Sequence, residues 1–159
     1  MVKRNWKSYL FWILLAEAVG ALSGWLTREA MKNYGQTILQ PPLSPPGWLF
    51  PVAWTLLYAL MGIGAARVYG TPPSKLRSLG LNLFVVQLVV NFFWSPIFFN
   101  LQAFGLAFVW LLILWTLVLW MTKVFRKTDS LAAKLQLPYL FWLTFAAYLN
   151  LGVWYLNKK

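Results

Sequence analysis

The chain has 159 residues, of which 60% are hydrophobic and only 11% charged. Soluble domains carry about 25% charged residues, so the composition excludes an ordinary globular protein and predicts a single all-α integral membrane domain. The net charge of +11 lies in loops and tails beside apolar runs, the pattern of topology signals and headgroup contacts, which excludes a nucleic-acid partner.

Cysteine and histidine are both absent. That removes disulfides, thiol nucleophiles, His-based triads, ordinary zinc sites and His or Cys axial ligation of haem iron. No metal and no required cofactor is expected. A tetrapyrrole bound here would be held by shape, aromatic contact and hydrogen bonds.

Taken in order, Lys3, Arg4 and Lys7 precede an apolar run that is long for a signal-peptide core and lacks a small-residue cleavage site. It predicts a first, uncleaved transmembrane helix at about 9–27. Gly20 and Gly24 form a G-x-x-x-G with Ser23 beside it, a small-residue face for helix packing within or between chains. Glu17 is an acidic residue deep in this run. Such a carboxylate is either functional or a neutral, hydrogen-bonded structural group.

Residues 28–47 are expected to form a long loop, with TREAMKNYG able to prolong the first helix by a turn or two. Its second half is a proline elbow, Pro41 to Pro51. Pro41-Pro42 and Pro45-Pro46 hold the chain extended, and Ser44 is the expected N-cap. Pro51 kinks the second helix or marks its true start. Trp54 and Tyr58 follow four residues apart and share a face. They serve either as an interfacial anchor or as part of a ligand pocket.

The second helix is predicted at about 48–69, thinned by Gly62 and Gly64. A loop with Pro72-Pro73, Lys75 and Arg77 leads to a third helix at about 79–99. Gln87, Asn91 and Trp94 lie on one stripe of it. Amides in lipid need partners, so the stripe faces inward, either to join helices or to line a pocket. A fourth helix at about 103–122 is plain scaffold. The basic segment 123–136 is expected to be a loop, and a fifth helix spans about 137–156 with Pro138 in its first turn. Tyr139, Trp142 and Ala146 share a face, with Asn150 four residues on.

The reading is therefore a five-transmembrane-helix bundle, each run close to the ~20 apolar residues a bilayer requires. Ten of the 14 Lys and Arg residues fall in the N-terminal tail, the second connection with Arg67, and the fourth connection. The positive-inside rule then places the N-terminus in the cytoplasm and the proline elbow outside, in what is expected to be a bacterial cytoplasmic membrane.

These residues carry a resemblance. Pro45-Pro46-Gly47-Trp48 with Pro51, Trp54 and Tyr58, then Gln87-Leu88, Asn91, Trp94, Pro96 and Phe98-Phe99, then Pro138-Tyr139-Leu140, Trp142-Leu143, Phe145-Ala146 and Leu149-Asn150, occur in the order of the TspO/MBR family's signatures. The chain resembles that family, the tryptophan-rich sensory proteins related to the mitochondrial translocator protein, over nearly its whole length.

The resemblance implies a bundle that is often a homodimer, with a pocket beneath the first loop acting as a lid. It implies binding of porphyrin or a sterol-like small molecule, with Trp54, Tyr58, Gln87, Asn91, Trp94, Trp142, Phe145 and Ala146 as the ligand-binding set. Arg28 or Lys32 would meet ligand carboxylates at the mouth. Light-dependent porphyrin breakdown, with Trp54 and Trp142 as candidate catalytic residues, and porphyrin or lipid transport are the alternatives. No conventional acid–base or nucleophile constellation accompanies them.

The chain departs from many relatives at Tyr34-Gly35, where they carry Trp-Tyr, and at Leu43 and Leu106, where Trp is found. Leu151, Tyr155 and Lys158 match only the spacing of the animal cholesterol motif.

Overall fold

The computed structural model describes residues 5–158. Six α-helices follow one another: α1 (Trp6–Thr37), α2 (Leu49–Tyr69), α3 (Lys75–Ser95), α4 (Phe104–Thr128), α5 (Ser130–Lys134) and α6 (Leu137–Leu156). A π-helical segment, Pro96–Asn100, prolongs α3. Five helical stretches are long and apolar enough to cross a membrane: Trp6–Thr37, Leu49–Tyr69, Lys75–Asn100, Phe104–Thr128 and Ser130–Leu156. The protein is an all-α integral membrane protein.

The elements are longer than the hydropathy suggests. Helix α1 continues to Thr37, ten residues past the expected end. Arg, Glu, Ala, Met and Lys in this stretch are good helix formers. Tyr34 also packs on Phe98 and Phe99 of the π-helical segment, with ring centroids 5.5 and 5.1 Å away. With 32 residues, α1 is about 48 Å long against a hydrocarbon core of about 30 Å, so it overshoots the bilayer. The true loop is only Ile38 to Trp48.

Helix α3 begins at Lys75, not near 79, because the Ser74 side chain accepts a hydrogen bond from the Arg77 amide at 3.0 Å. The basic segment 123–136, expected to be a loop, is largely helical. Helix α4 runs on to Thr128, and Asp129 then caps α5 by accepting from the Ala132 amide at 3.1 Å. Val124, Phe125, Ala132 and Ala133 are buried, so this polar stretch is amphipathic.

Ser44 does not cap α2. Its hydroxyl donates to the Pro41 carbonyl at 2.7 Å, and α2 starts at Leu49 after Trp48. Pro51 is the third residue of α2, where its missing N–H leaves no intrahelical bond unmade, so it marks a start rather than a kink.

Helix α1 packs along α2, α3 along α4, and α4 along α6. Helices α2 and α6 touch only briefly. At one end α5 bridges them. Arg67, in the last turn of α2, donates from Nε and a terminal nitrogen to the two Asp129 oxygens at 2.6 and 3.2 Å. Gly64 lets α2 meet the Gln136 side chain there. Cross-helix bonds fix the rest: Ser23 donates to the Phe92 carbonyl at 2.9 Å, and the Trp110 indole to the Val90 carbonyl at 2.7 Å.

The helix-packing glycines behave unequally. A Cβ on Gly62 would lie 2.5 Å from the Ile13 Cα, so this glycine sets the α1–α2 approach. Gly20 abuts the Tyr58 ring, whereas Gly24 has nothing within 4 Å. The close packing in the G-x-x-x-G thus occurs at Gly20 and within the chain.

Candidate functional site: an aromatic cleft between two helices

Away from the α5 bridge, α2 and α6 face each other through aromatic rings. Trp54 stacks on Tyr58 with centroids 5.4 Å apart and planes at 28°. Its edge meets Tyr139 and Trp142, each at 6.2 Å. Trp142 continues to Phe50 at 6.0 Å and Phe145 at 5.8 Å, and Phe145 stacks on Tyr148 at 6.2 Å. The four-residue spacing on α2 and the three-residue spacing on α6 put these rings on facing sides of the two helices. Trp54, Trp142 and Phe145 are half-buried, whereas Tyr58, Tyr139 and Ala146 are buried behind them.

Behind the rings runs a closed polar chain. The Tyr58 hydroxyl donates to Asn91 Oδ1 at 2.9 Å, and Asn91 Nδ2 donates to the Tyr139 hydroxyl at 2.6 Å. The Tyr139 hydroxyl donates to Gln87 Oε1 at 2.7 Å, and Gln87 Nε2 reaches the Met61 sulfur at 3.8 Å. Gln87 and Tyr139 are essentially inaccessible. The two amides therefore face inward, as their spacing predicts, and their partners are tyrosines of α2 and α6. Three helices are joined through one set of buried groups, and the rings of Tyr58 and Tyr139 are locked in place as the back wall of the cleft.

Trp94 belongs to a neighbouring cluster. Its indole donates to Asn150 Oδ1 at 3.1 Å, and Asn150 Nδ2 donates to the Phe104 carbonyl at 2.9 Å. Its ring stacks on Phe98 at 4.9 Å. Trp94 thus sits between the π-helical segment and α6, apart from the Trp54–Trp142 ladder.

At the end of α6 opposite α5, the short loop is bonded to that helix. The Tyr148 hydroxyl donates to the Pro42 carbonyl at 2.6 Å. Asn157 accepts from the Leu39 amide at 3.1 Å and donates to the Leu39 carbonyl at 2.8 Å. Pro41 sits against Gly152, where a Cβ would come within 2.6 Å. Tyr148, Gly152 and the C-cap residue Asn157 thus strap residues 39–42 to α6. Leu43, at the tip, has a φ of 69°, a left-handed conformation that costs a branched side chain energy.

Neither spacing nor resemblance points to Phe50, Tyr148 or Asn157, and Tyr139, placed on the Trp142 face and within the fifth-helix signature, is not in the expected ligand-binding set. Tyr139 lies one turn before Trp142, and that spacing is the signal that points to it. Nothing in the sequence pairs Asn157 with a backbone 118 residues away. Arg28 does not reach the cleft: it donates to the Trp25 carbonyl at 2.6 Å and lies 4.4 Å over that ring. Glu17 is half-buried on α1, one turn from Gly20 and outside the ladder.

Residues 12–156 match the model of the TspO/MBR family. The chain belongs to the TspO/MBR family. It is 43% identical over 122 residues to the protein CrtK of Rhodobacter capsulatus, covering 76% of each chain. It is 36% identical over 144 residues to the tryptophan-rich protein TspO of Chlorobaculum tepidum, covering 90% of this chain and 91% of that one. The human translocator protein is 34% identical over 146 residues, with 88% and 85% of the two chains covered. The TspO/MBR match spans all five membrane-crossing stretches, including both walls of the cleft.

Proposed function

We propose that the protein is a membrane receptor for a flat, largely apolar tetrapyrrole of the protoporphyrin type, bound in the cleft between α2 and α6 under the proline elbow. The observation that carries this reading is the ladder of Trp54, Trp142 and Phe145, half-buried against a wall of locked tyrosines. Half-buried indoles offer flat apolar faces that a planar ligand can cover. The back wall costs nothing to organise on binding, because the Tyr58–Asn91–Tyr139–Gln87 chain already fixes it. Gln87 and Asn91 act by holding the wall.

A sterol-like ligand is the neighbouring possibility within this class, and planarity is what favours the porphyrin. The family resemblance supports a homodimer in a bacterial cytoplasmic membrane. The distribution of basic residues supports a cytoplasmic N-terminus. Light-dependent breakdown of the ligand is the second reading. It is favoured by the direct succession of oxidisable rings, Trp142, Trp54 and Tyr58, along the cleft. In that reading the excited porphyrin and dioxygen supply the chemistry, and the indoles supply electrons.

Quenching of tryptophan fluorescence by protoporphyrin in the dark tests the binding. Saturable quenching that Trp54→Phe and Trp142→Phe each weaken supports the cleft. Linear quenching, equal in all three proteins, means partition into the lipid and refutes it. Under light, the same two variants should lose any discrete product even at porphyrin concentrations that saturate them in the dark; unchanged product formation would end the second reading.

A further inference from the structure

The other end of the molecule holds a separate cavity. Helix α1 begins there, α2 ends there and α3 begins there. Between them opens a cavity of about 470 Å³, lined among others by Asn5, Ser8, Tyr69, Thr71, Pro72 and Arg77. It lies at the α5 end of the bundle, away from the aromatic cleft.

Its chemistry is that of an anion site. Arg77 donates from Nε and a terminal nitrogen to the Tyr69 carbonyl at 3.1 and 2.8 Å, and its guanidinium lies 4.7 Å over the Tyr69 ring. These bonds hold the guanidinium flat against the cavity wall. They use two of its five N–H donors and leave the others for a ligand. The Ser8 hydroxyl is buried and has no hydrogen-bond partner among the described residues. That oxygen has essentially no accessible surface, so Ser8 forms part of the wall and the free Arg77 donors are what face a ligand.

The surrounding field has one sign. Lys7 and Lys75 flank the cavity in sequence, and α1 and α3 both direct their N-termini to this end. Asp129, the carboxylate at this end among the described residues, is taken by Arg67. The C-terminus of α2 contributes the opposing dipole, and the Arg77 fork already answers its Tyr69 carbonyl.

Size and depth then choose among anions. The volume exceeds that of one phosphate ion, and Tyr69, Pro72 and Pro73 supply apolar walls. The cavity stands at the end of an apolar span, the level at which lipid phosphates lie. We propose that this cavity binds the phosphate of an anionic glycerophospholipid, with Arg77 as its cationic fork. The site is independent of the tetrapyrrole reading.

The test uses delipidated full-length protein in an uncharged detergent. Binding of dioctanoyl phosphatidylglycerol is measured by native mass spectrometry, beside dioctanoyl phosphatidylcholine and inorganic phosphate. Arg77→Gln should weaken phosphatidylglycerol roughly tenfold or more, as loss of a charge-assisted bond implies. Ser8→Leu puts a larger apolar group into the cavity wall without removing Arg77 and should weaken phosphatidylglycerol binding several-fold. Lys127→Gln, an equal loss of charge elsewhere at this end, should change affinity less than about twofold. Helical ellipticity is recorded for each variant; if Arg77→Gln perturbs the fold, Ser8→Leu decides alone. Phosphatidylglycerol binding unchanged in Ser8→Leu overturns the proposal. So does inorganic phosphate or phosphatidylcholine binding as tightly as phosphatidylglycerol, the first by making the ligand a free anion and the second by removing the role of charge.

Discussion

Tyr139→Phe removes one oxygen from the middle of the buried polar chain. That oxygen accepts from Asn91 Nδ2 and donates to Gln87 Oε1. Both groups are left without those partners at positions no more than 5% exposed. A buried group deprived of its partner costs about 1–3 kcal/mol in soluble proteins. Interhelical bonds in membranes average only about 0.6 kcal/mol, because the unfolded chain finds partners in the lipid phase. Two groups orphaned among packed helices place the expected loss at about 2–4 kcal/mol, between those limits. Unfolding of the detergent-solubilised protein by sodium dodecyl sulfate, followed by ellipticity, measures it. Adding Gln87→Leu to Tyr139→Phe removes one of the orphans, so the pair should cost less than the two separate changes summed, by about 1 kcal/mol. A loss below about 0.5 kcal/mol, as at an ordinary surface position, or strict additivity, would refute the idea that this chain braces the cleft wall.

Gly62→Ala should destabilise the bundle by about 2–3 kcal/mol, since the added carbon would meet the α1 backbone. Gly24→Ala, with open space around it, should be neutral or stabilise by up to about 1 kcal/mol; the same unfolding assay compares the two. Combining Asn157→Ala with Tyr148→Phe cuts three bonds between the proline elbow and α6. Amide hydrogen exchange over residues 38–48 should rise about tenfold or more while exchange in the helices stays unchanged. Leu43→Gly should raise the thermal midpoint slightly, by relieving about 1 kcal/mol of left-handed strain at an exposed tip.

The five spans were legible because apolar runs of membrane length have few other uses. Helix ends were less so, and the reason is local. The stretches 28–37 and 123–136 are polar, and polarity in a membrane chain reads as loop. In the structure one is an overshooting helix pinned by Tyr34, and the other is the amphipathic end of α4 and the short α5, buried along Phe125 and Ala132. The inward stripe of Gln87 and Asn91 could be read from spacing alone. Its partners could not, because Tyr58 and Tyr139 lie 33 and 48 residues from Asn91. Trp54 and Tyr58 announced a shared face by their spacing. That Trp142 would stand opposite them is implied by the resemblance, not by spacing; the arrangement of α2 and α6 brings the two indoles together. Trp94 shares the stripe of Gln87 and Asn91, yet its larger ring reaches past them to Phe98 and Asn150. Asn157 carried no signal, since a terminal asparagine is ordinary until a loop is found beside it.

The most direct test of the cleft is fluorine NMR of the protein labelled with 5-fluorotryptophan, its 11 tryptophans assigned by single Trp→Phe changes, during a dark titration with protoporphyrin. The ring current of a porphyrin falls off within a few ångströms, so the resonances that move report which indoles it covers. The account predicts saturable shifts at Trp54 and Trp142, with the exposed Trp6, Trp25 and Trp120 unmoved. Shifts confined to those exposed residues, or spread evenly over all 11, would place the ligand in the lipid and contradict the proposed site.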